Sequence, residues 1–73
     1  MNVRFVQTNQ IDTTYGFGDA RAPVEGESIW ADGSDPDFPK GTYKVVSVGW
    51  TIGIRGPKEA VVKIKRATAL GSR

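Results

Sequence analysis

The chain has 73 residues, 38% hydrophobic and 25% charged, with no cysteine, no histidine and a formal net charge of +2. Without cysteine there is no disulfide and no thiolate metal site; without histidine the commonest zinc ligand and the usual general base near neutral pH are missing. A chain this short buries only about 60% of the surface that its unfolded form exposes, so its core is thin and self-association is the remaining aid to stability.

No apolar run approaches the ~20 residues of a membrane span, and Met1–Thr8 alternates rather than forming a signal-peptide core. The expectation is a soluble, cytoplasmic protein. The charge is divided along the chain: residues 1–39 carry a net of −5 and residues 40–73 a net of +7. A basic surface built this way attracts polyanions or pairs with an acidic surface, on the same chain or on another.

Asn2 to Thr8 alternates, with Val3 and Phe5 on one face and Arg4, Val6 and Thr8 on the other, which predicts a strand. Asn9-Gln10 breaks it. Asp12 to Phe17 is the second strand, with Thr13, Tyr15 and Phe17 on one side, and the two form a hairpin. Arg21 to Glu27 carries turn chemistry: Pro23 presets φ and Gly26 supplies a positive φ. Ser28 to Ala31 is a short strand in which Ile29 and Trp30 alternate, so only one of them points inward; with Ile29 inside, Trp30 is partly exposed and available for a contact. Asp32 to Gly41, dense in Asp, Gly, Ser and Pro, is a long loop.

Thr42 to Ile54 is the longest strand. Val46, Val48, Trp50, Ile52 and Ile54 share one face at period two, which predicts a core stripe containing Trp50; Tyr43, Val45, Ser47, Gly49 and Thr51 point the other way. Gly49 and Gly53 offer places to bend or bulge. Arg55-Gly56-Pro57-Lys58 is the next turn. Glu59 to Ala67 is the last strand, with Ala60, Val62 and Ile64 inward and Val61, Lys63 and Lys65 outward. Nothing holds helical spacing over ten or more positions. The fold class is therefore all-β: a single small five-stranded barrel or strongly bent antiparallel sheet over residues 1–70, with Gly71-Ser72-Arg73 as a tail of cloning-remnant type.

Pro23-Val24-Glu25-Gly26-Glu27-Ser28-Ile29-Trp30, followed by Gly41-Thr42-Tyr43-Lys44-Val45-Val46, resembles the pattern of SH3-like small barrels. There a Pro-x-x-Gly-acid turn leads into a strand and a Gly-x-Tyr-x-Val segment opens the next hairpin. The resemblance covers about residues 22–66 and implies an SH3-like barrel, with an OB-like barrel as the structural alternative. Val48-Gly49-Trp50 is similar to the core strand of the small plasmid-type dihydrofolate reductases. Val62-Lys63-Ile64-Lys65 stands where those enzymes carry Val-Gln-Ile-Tyr, so the resemblance stops short of their chemistry.

No catalytic set emerges. The paired carboxylates lie in solvated turns, and the glycines of Gly16-x-Gly18 and Gly53-x-x-Gly56 lack the spacing and following Lys-Ser/Thr of a phosphate loop. Asp32-Gly33-Ser34-Asp35-Pro36-Asp37 lacks the ligand spacing of a calcium loop and reads as a hydrated Asx turn; neither metal nor cofactor is expected. The expected function is a small non-enzymatic interaction module, of the kind that serves as an accessory or assembly protein of a phage or mobile element. Its interface candidates are Trp30, Asp32, Asp35, Asp37 and Phe38, and its partner is a protein or a second copy. The alternative is a nucleic-acid-binding barrel using Tyr43 as a stacking platform beside Lys44, Arg55, Lys58, Lys63 and Lys65. The plain alternative for those lysines is a solvated strand face.

Overall fold

Five strands build one sheet in a computed structural model that describes residues 1–67: β1 (Asn2–Gln7), β2 (Ile11–Gly16), β3 (Ser28–Ala31), β4 (Gly41–Gly53) and β5 (Gly56–Arg66). The expected domain end at residue 70 and the tail 71–73 lie outside the described residues. The spatial order is β2-β1-β5-β4-β3. Neighbours pair antiparallel except β1 and β5, which run parallel with Val3 beside Ala60 and Phe5 beside Val62. The sheet curls into a half-barrel, consistent with a small SH3-like barrel or a bent sheet; it is mixed rather than wholly antiparallel. No helix is long and apolar enough to cross a membrane among the described residues.

The turns follow their local chemistry. Thr8-Asn9-Gln10 closes the first hairpin, with Asn9 at φ 62° and the Gln10 amide donating to the Gln7 carbonyl at 3.0 Å. Asn tolerates this left-handed conformation better than most residues. In the turn before β3, the Val24 amide donates to Glu27 Oε1 at 2.7 Å and Arg21 reaches both carboxylate oxygens. The turn docks on β4 through the Gly26 amide on the Val45 carbonyl and the Val45 amide on the Glu27 carbonyl. The Arg21 guanidinium, together with the Val24 amide, lowers the Glu27 carboxyl from 4.5 to about 2. A depressed carboxyl contributes stability above its unfolded pKa that is lost as pH falls toward its folded one. Glu27→Gln is therefore expected to lose less stability than the parent between about pH 4.5 and pH 2. Parallel acid titrations in urea, followed by circular dichroism, check this.

The concave face carries the core. Val3, Phe5, Ile11, Tyr43, Val45, Ala60, Val62 and Ile64 are buried, joined by Ala22 and by Phe38 from the 32–40 loop. The faces expected for β1 and β5 are the observed ones. In β4 the expected face fails before Ser47 and holds from Val48 on, where Val48 packs against the core. Tyr43 and Val45, taken as outward, are 0% and 1% exposed, while Val46, Trp50, Ile52 and Ile54, taken as core, are exposed. For Tyr43, Val45 and Val46 the reason is a bulge; Ile52 and Ile54 are bare because β4 and β5 run past the end of β1, with Trp50 at that boundary. Val45 opposes Ile64 and Ser47 opposes Lys63, so Val46 has no partner on β5. One extra residue inverts the alternation. Tyr43 and Val45 before the bulge therefore face the same side as Val48 and Trp50 after it, which stand opposite Val62 and Ala60.

The turn expected at 55–58 is tighter. Gly53 pairs with Gly56 across Ile54-Arg55, with the positive φ of 106° carried by Gly56, and Pro57 lies within β5 opposite Ile52. Proline is compatible here because β1 begins at Asn2 beside Glu59, so residue 57 has no strand on its outer side. Beyond that row β4 and β5 continue alone, as a two-stranded arm. The molecule is accordingly elongated, 46 × 24 × 24 Å, with a radius of gyration of 12.8 Å, against about 11 Å for a compact chain of this length.

Candidate functional site

Three surfaces carry the residues singled out above. The first is the arm. Ile52 is 65% exposed and Ile54, at the tip, 103%, while Trp50, 49% exposed, stands at the base of the arm. Trp50 faces the concave side over Ala60, but the 32–40 loop covers the far part of that side and leaves the arm bare. Arg55 and Lys58 flank the tip, and among the described residues neither enters an ion pair. The Lys58 stem instead occupies the space where a Cβ on Gly53 would sit, at 3.0 Å. Apolar side chains clustered on a projecting two-stranded ribbon are the kind of surface that marks an interaction site.

The second surface is an open cavity of about 380 Å³ where β2 and β3, the two edges of the half-barrel, approach without pairing. Its floor is aromatic: Phe5, Tyr15, Phe17 and Phe38, with Ile29 and the exposed Trp30 on the β3 side. Phe5 and Phe38 meet edge to face at 5.6 Å between centroids, and Phe38 meets Tyr43 at 5.2 Å and 83°, a favoured geometry for paired rings. Asp32 and Asp35 form the polar wall. Tyr15 donates its hydroxyl hydrogen to Asp35 Oδ2 at 2.6 Å, and Asp35 Oδ1 accepts the Asp37 amide at 2.8 Å. Burial, reinforced by Asp35, pushes the Tyr15 hydroxyl up to about 12. The Tyr15 hydrogen bond and the Asp37 amide lower Asp35, and the Ser34 hydrogen bonds lower Asp32, so both carboxyls are charged at neutral pH.

Of the expected interface residues, Trp30 is 63% exposed at the cavity rim, Asp32 lies on its wall with one oxygen on the Ser34 amide, and Asp37 is exposed outside the lining. Asp35 is half-buried. Phe38 is corrected: it is a core residue, 6% exposed, because the loop folds back over the concave face instead of standing in solvent.

The third surface is the convex face. Lys44 stands directly opposite Lys65, and Lys63 follows two residues along β5 beside Ser47 and Val6. All three are exposed. Like charges directly opposite each other across a sheet repel, so this face carries an electrostatic cost that an anionic partner relieves. Two members of the expected set do not join it. Tyr43 is corrected: it lies on the concave side, fully buried, its hydroxyl donating to the Pro39 carbonyl at 2.7 Å and the Arg66 guanidinium 5.6 Å from its ring centre. No base can stack on it. Arg55 and Lys58 sit at the arm tip, well beyond the three lysines along β4 and β5.

Sequence reasoning placed Trp50 and the two isoleucines in the core and so missed the arm. The available signal was length: 13 residues exceed the usual strand, and a strand that outruns its neighbours must project. Alternation puts Tyr15 and Phe17 on one face, but the cavity that they line also needs Ile29 and the loop. No family model, no curated protein and no solved structure matches the chain.

Proposed function

We propose that this protein is a non-enzymatic interaction module that works by protein–protein association, self-association first, through the β4–β5 arm. The observation that carries this reading is the exposure of Ile52 and Ile54 on a ribbon that nothing among the described residues covers, with the half-exposed Trp50 at its base. Full burial of a side chain of this kind contributes about 1.5–3 kcal/mol, so two isoleucines hold a substantial share of a micromolar association. An accessory or assembly role, as in a phage or mobile element, is the biological setting that this reading suits.

Sedimentation of the full chain across a dilution series tests it. The parent is expected to associate with concentration. The Ile52→Ser/Ile54→Ser chain is expected to stay monomeric with an unchanged circular dichroism spectrum, because neither residue belongs to the core. A parent chain that is monomeric at high micromolar concentration would sink the reading.

A second reading rests on a different observation, the facing Lys44 and Lys65 with Lys63 beside them. On that reading the convex face binds nucleic acid through phosphate contacts alone, since it has no stacking tyrosine. Binding to short DNA or RNA duplexes weakens steeply between about 50 and 200 mM salt as counterions are released. Lys63→Glu/Lys65→Glu abolishes it while the fold survives. Affinity that is unchanged in that variant rejects the reading.

A further inference from the structure

The two ends of β4 carry complementary chemistry. At one end the arm tip presents a bare isoleucine, Ile54, next to Arg55, whose guanidinium has no carboxylate partner among the described residues. At the other end Ala31, paired with Gly41, leads into Asp32 and Asp35, the acidic wall of an open cavity floored by aromatic rings. A guanidinium is the cation best suited to such a site, because it stacks on aromatic faces and forks onto a carboxylate. The volume is adequate: a cavity of ~150 Å³ already holds a benzene ring, and this one measures about 380 Å³.

The tip cannot reach the acidic wall of its own chain. Gly41 and Gly53 are the ends of one continuous strand, 13 residues long, which at ~3.3 Å per residue sets them about 40 Å apart along the strand. The complement must be satisfied between molecules.

We infer that the arm tip of one copy, Ile54 and Arg55, inserts into the aromatic–acidic cavity of the next, joining copies head to tail. This rests on the self-association proposed above and names its two surfaces. Such an interface is heterologous: each copy keeps one free tip and one free cavity, so assembly continues until a ring closes or a filament forms. It also gives the charge division of the sequence a use, since the donor surface comes from the basic half and the acceptor wall from the acidic half.

The test is sedimentation velocity on the full chain over a range covering dissociation constants of about 1 µM to 1 mM, with Arg55→Glu, Asp32→Arg and Asp32→Asn. Asp32 is exposed and accepts the Ser34 amide at 2.9 Å, so Asp32→Asn keeps an acceptor there and removes the charge. Each charge reversal is expected to weaken association about tenfold or more, Asp32→Asn less, and an equal mixture of Arg55→Glu and Asp32→Arg to restore it, because the reversed charges again match. Near-ultraviolet circular dichroism of each variant establishes that the fold is intact. Association lost in Arg55→Glu but unchanged in both Asp32 variants overturns the head-to-tail arrangement in favour of arm-to-arm contact and leaves the proposed function standing. Association unchanged in all variants overturns it in favour of another surface. A parent chain that never associates overturns both.

Discussion

A chain lacking Val46 is expected to be unfolded in plain buffer, whereas Val46→Thr folds with a change of about 0.5 kcal/mol or less. Val46 is half-exposed and makes no core contact, so by side-chain packing alone it is dispensable. Its backbone is not. It is the extra residue that lets Tyr43 and Val45 share a face with Val48 and Trp50. With the bulge removed, one of these pairs must turn to the opposite face. Turning out Tyr43 and Val45, at about 1.5–3 kcal/mol each, removes roughly the whole stability of a domain this small. Far-ultraviolet circular dichroism and amide exchange on the deletion chain decide the matter. A deletion chain with native dispersion and protection would mean that the bulge does not set the face of β4.

Tyr43→Ala is expected to cost about 3–5 kcal/mol and Tyr43→Phe about 1 kcal/mol, while Ile54→Ala changes stability by less than about 0.5 kcal/mol. The large cost follows from burial: the ring is fully enclosed, packed edge to face on Phe38 and covered by Arg66, which also donates to the Lys40 carbonyl. The smaller cost is the Pro39 carbonyl losing its partner. Gly41 belongs to the same arrangement, because a Cβ there would meet the Arg66 guanidinium at 2.8 Å. Urea unfolding monitored by tryptophan fluorescence gives all three values. If Tyr43→Ala shifted the midpoint no more than Ile54→Ala, the packing described for the loop over the concave face would be wrong.

These two experiments separate what was legible from what was not. The strands of the first hairpin, the turn at 23–27 and the inward Ala60, Val62 and Ile64 all follow from residues near each other in sequence, whereas alternation leaves open which of Ile29 and Trp30 faces in. Turn glycines and prolines act over three or four residues, and alternation reports a face wherever the ladder is unbroken. Phe38 was placed with the acidic loop because its neighbours are polar. What buries it is Phe5, thirty-three residues away, and Tyr43, neither of which its local composition can announce. The candidate interaction site was legible only in parts: Trp30, Asp32 and Asp35 from the sequence, the arm and the aromatic floor only from the sheet.

By itself, then, the sequence determined that this chain is all-β, that it has five strands, and that charge is split between its halves. Those are properties of composition, local turn chemistry and period-two patterning. The tertiary structure decided which face of β4 is inside, that β1 and β5 lie parallel, and that β4 and β5 run on as an arm. Each depends on the register between strands far apart in the chain. An apolar stripe looks the same in sequence whether a sheet covers it or it projects into water, because burial belongs to the partner strands and the layer above them, not to the stripe.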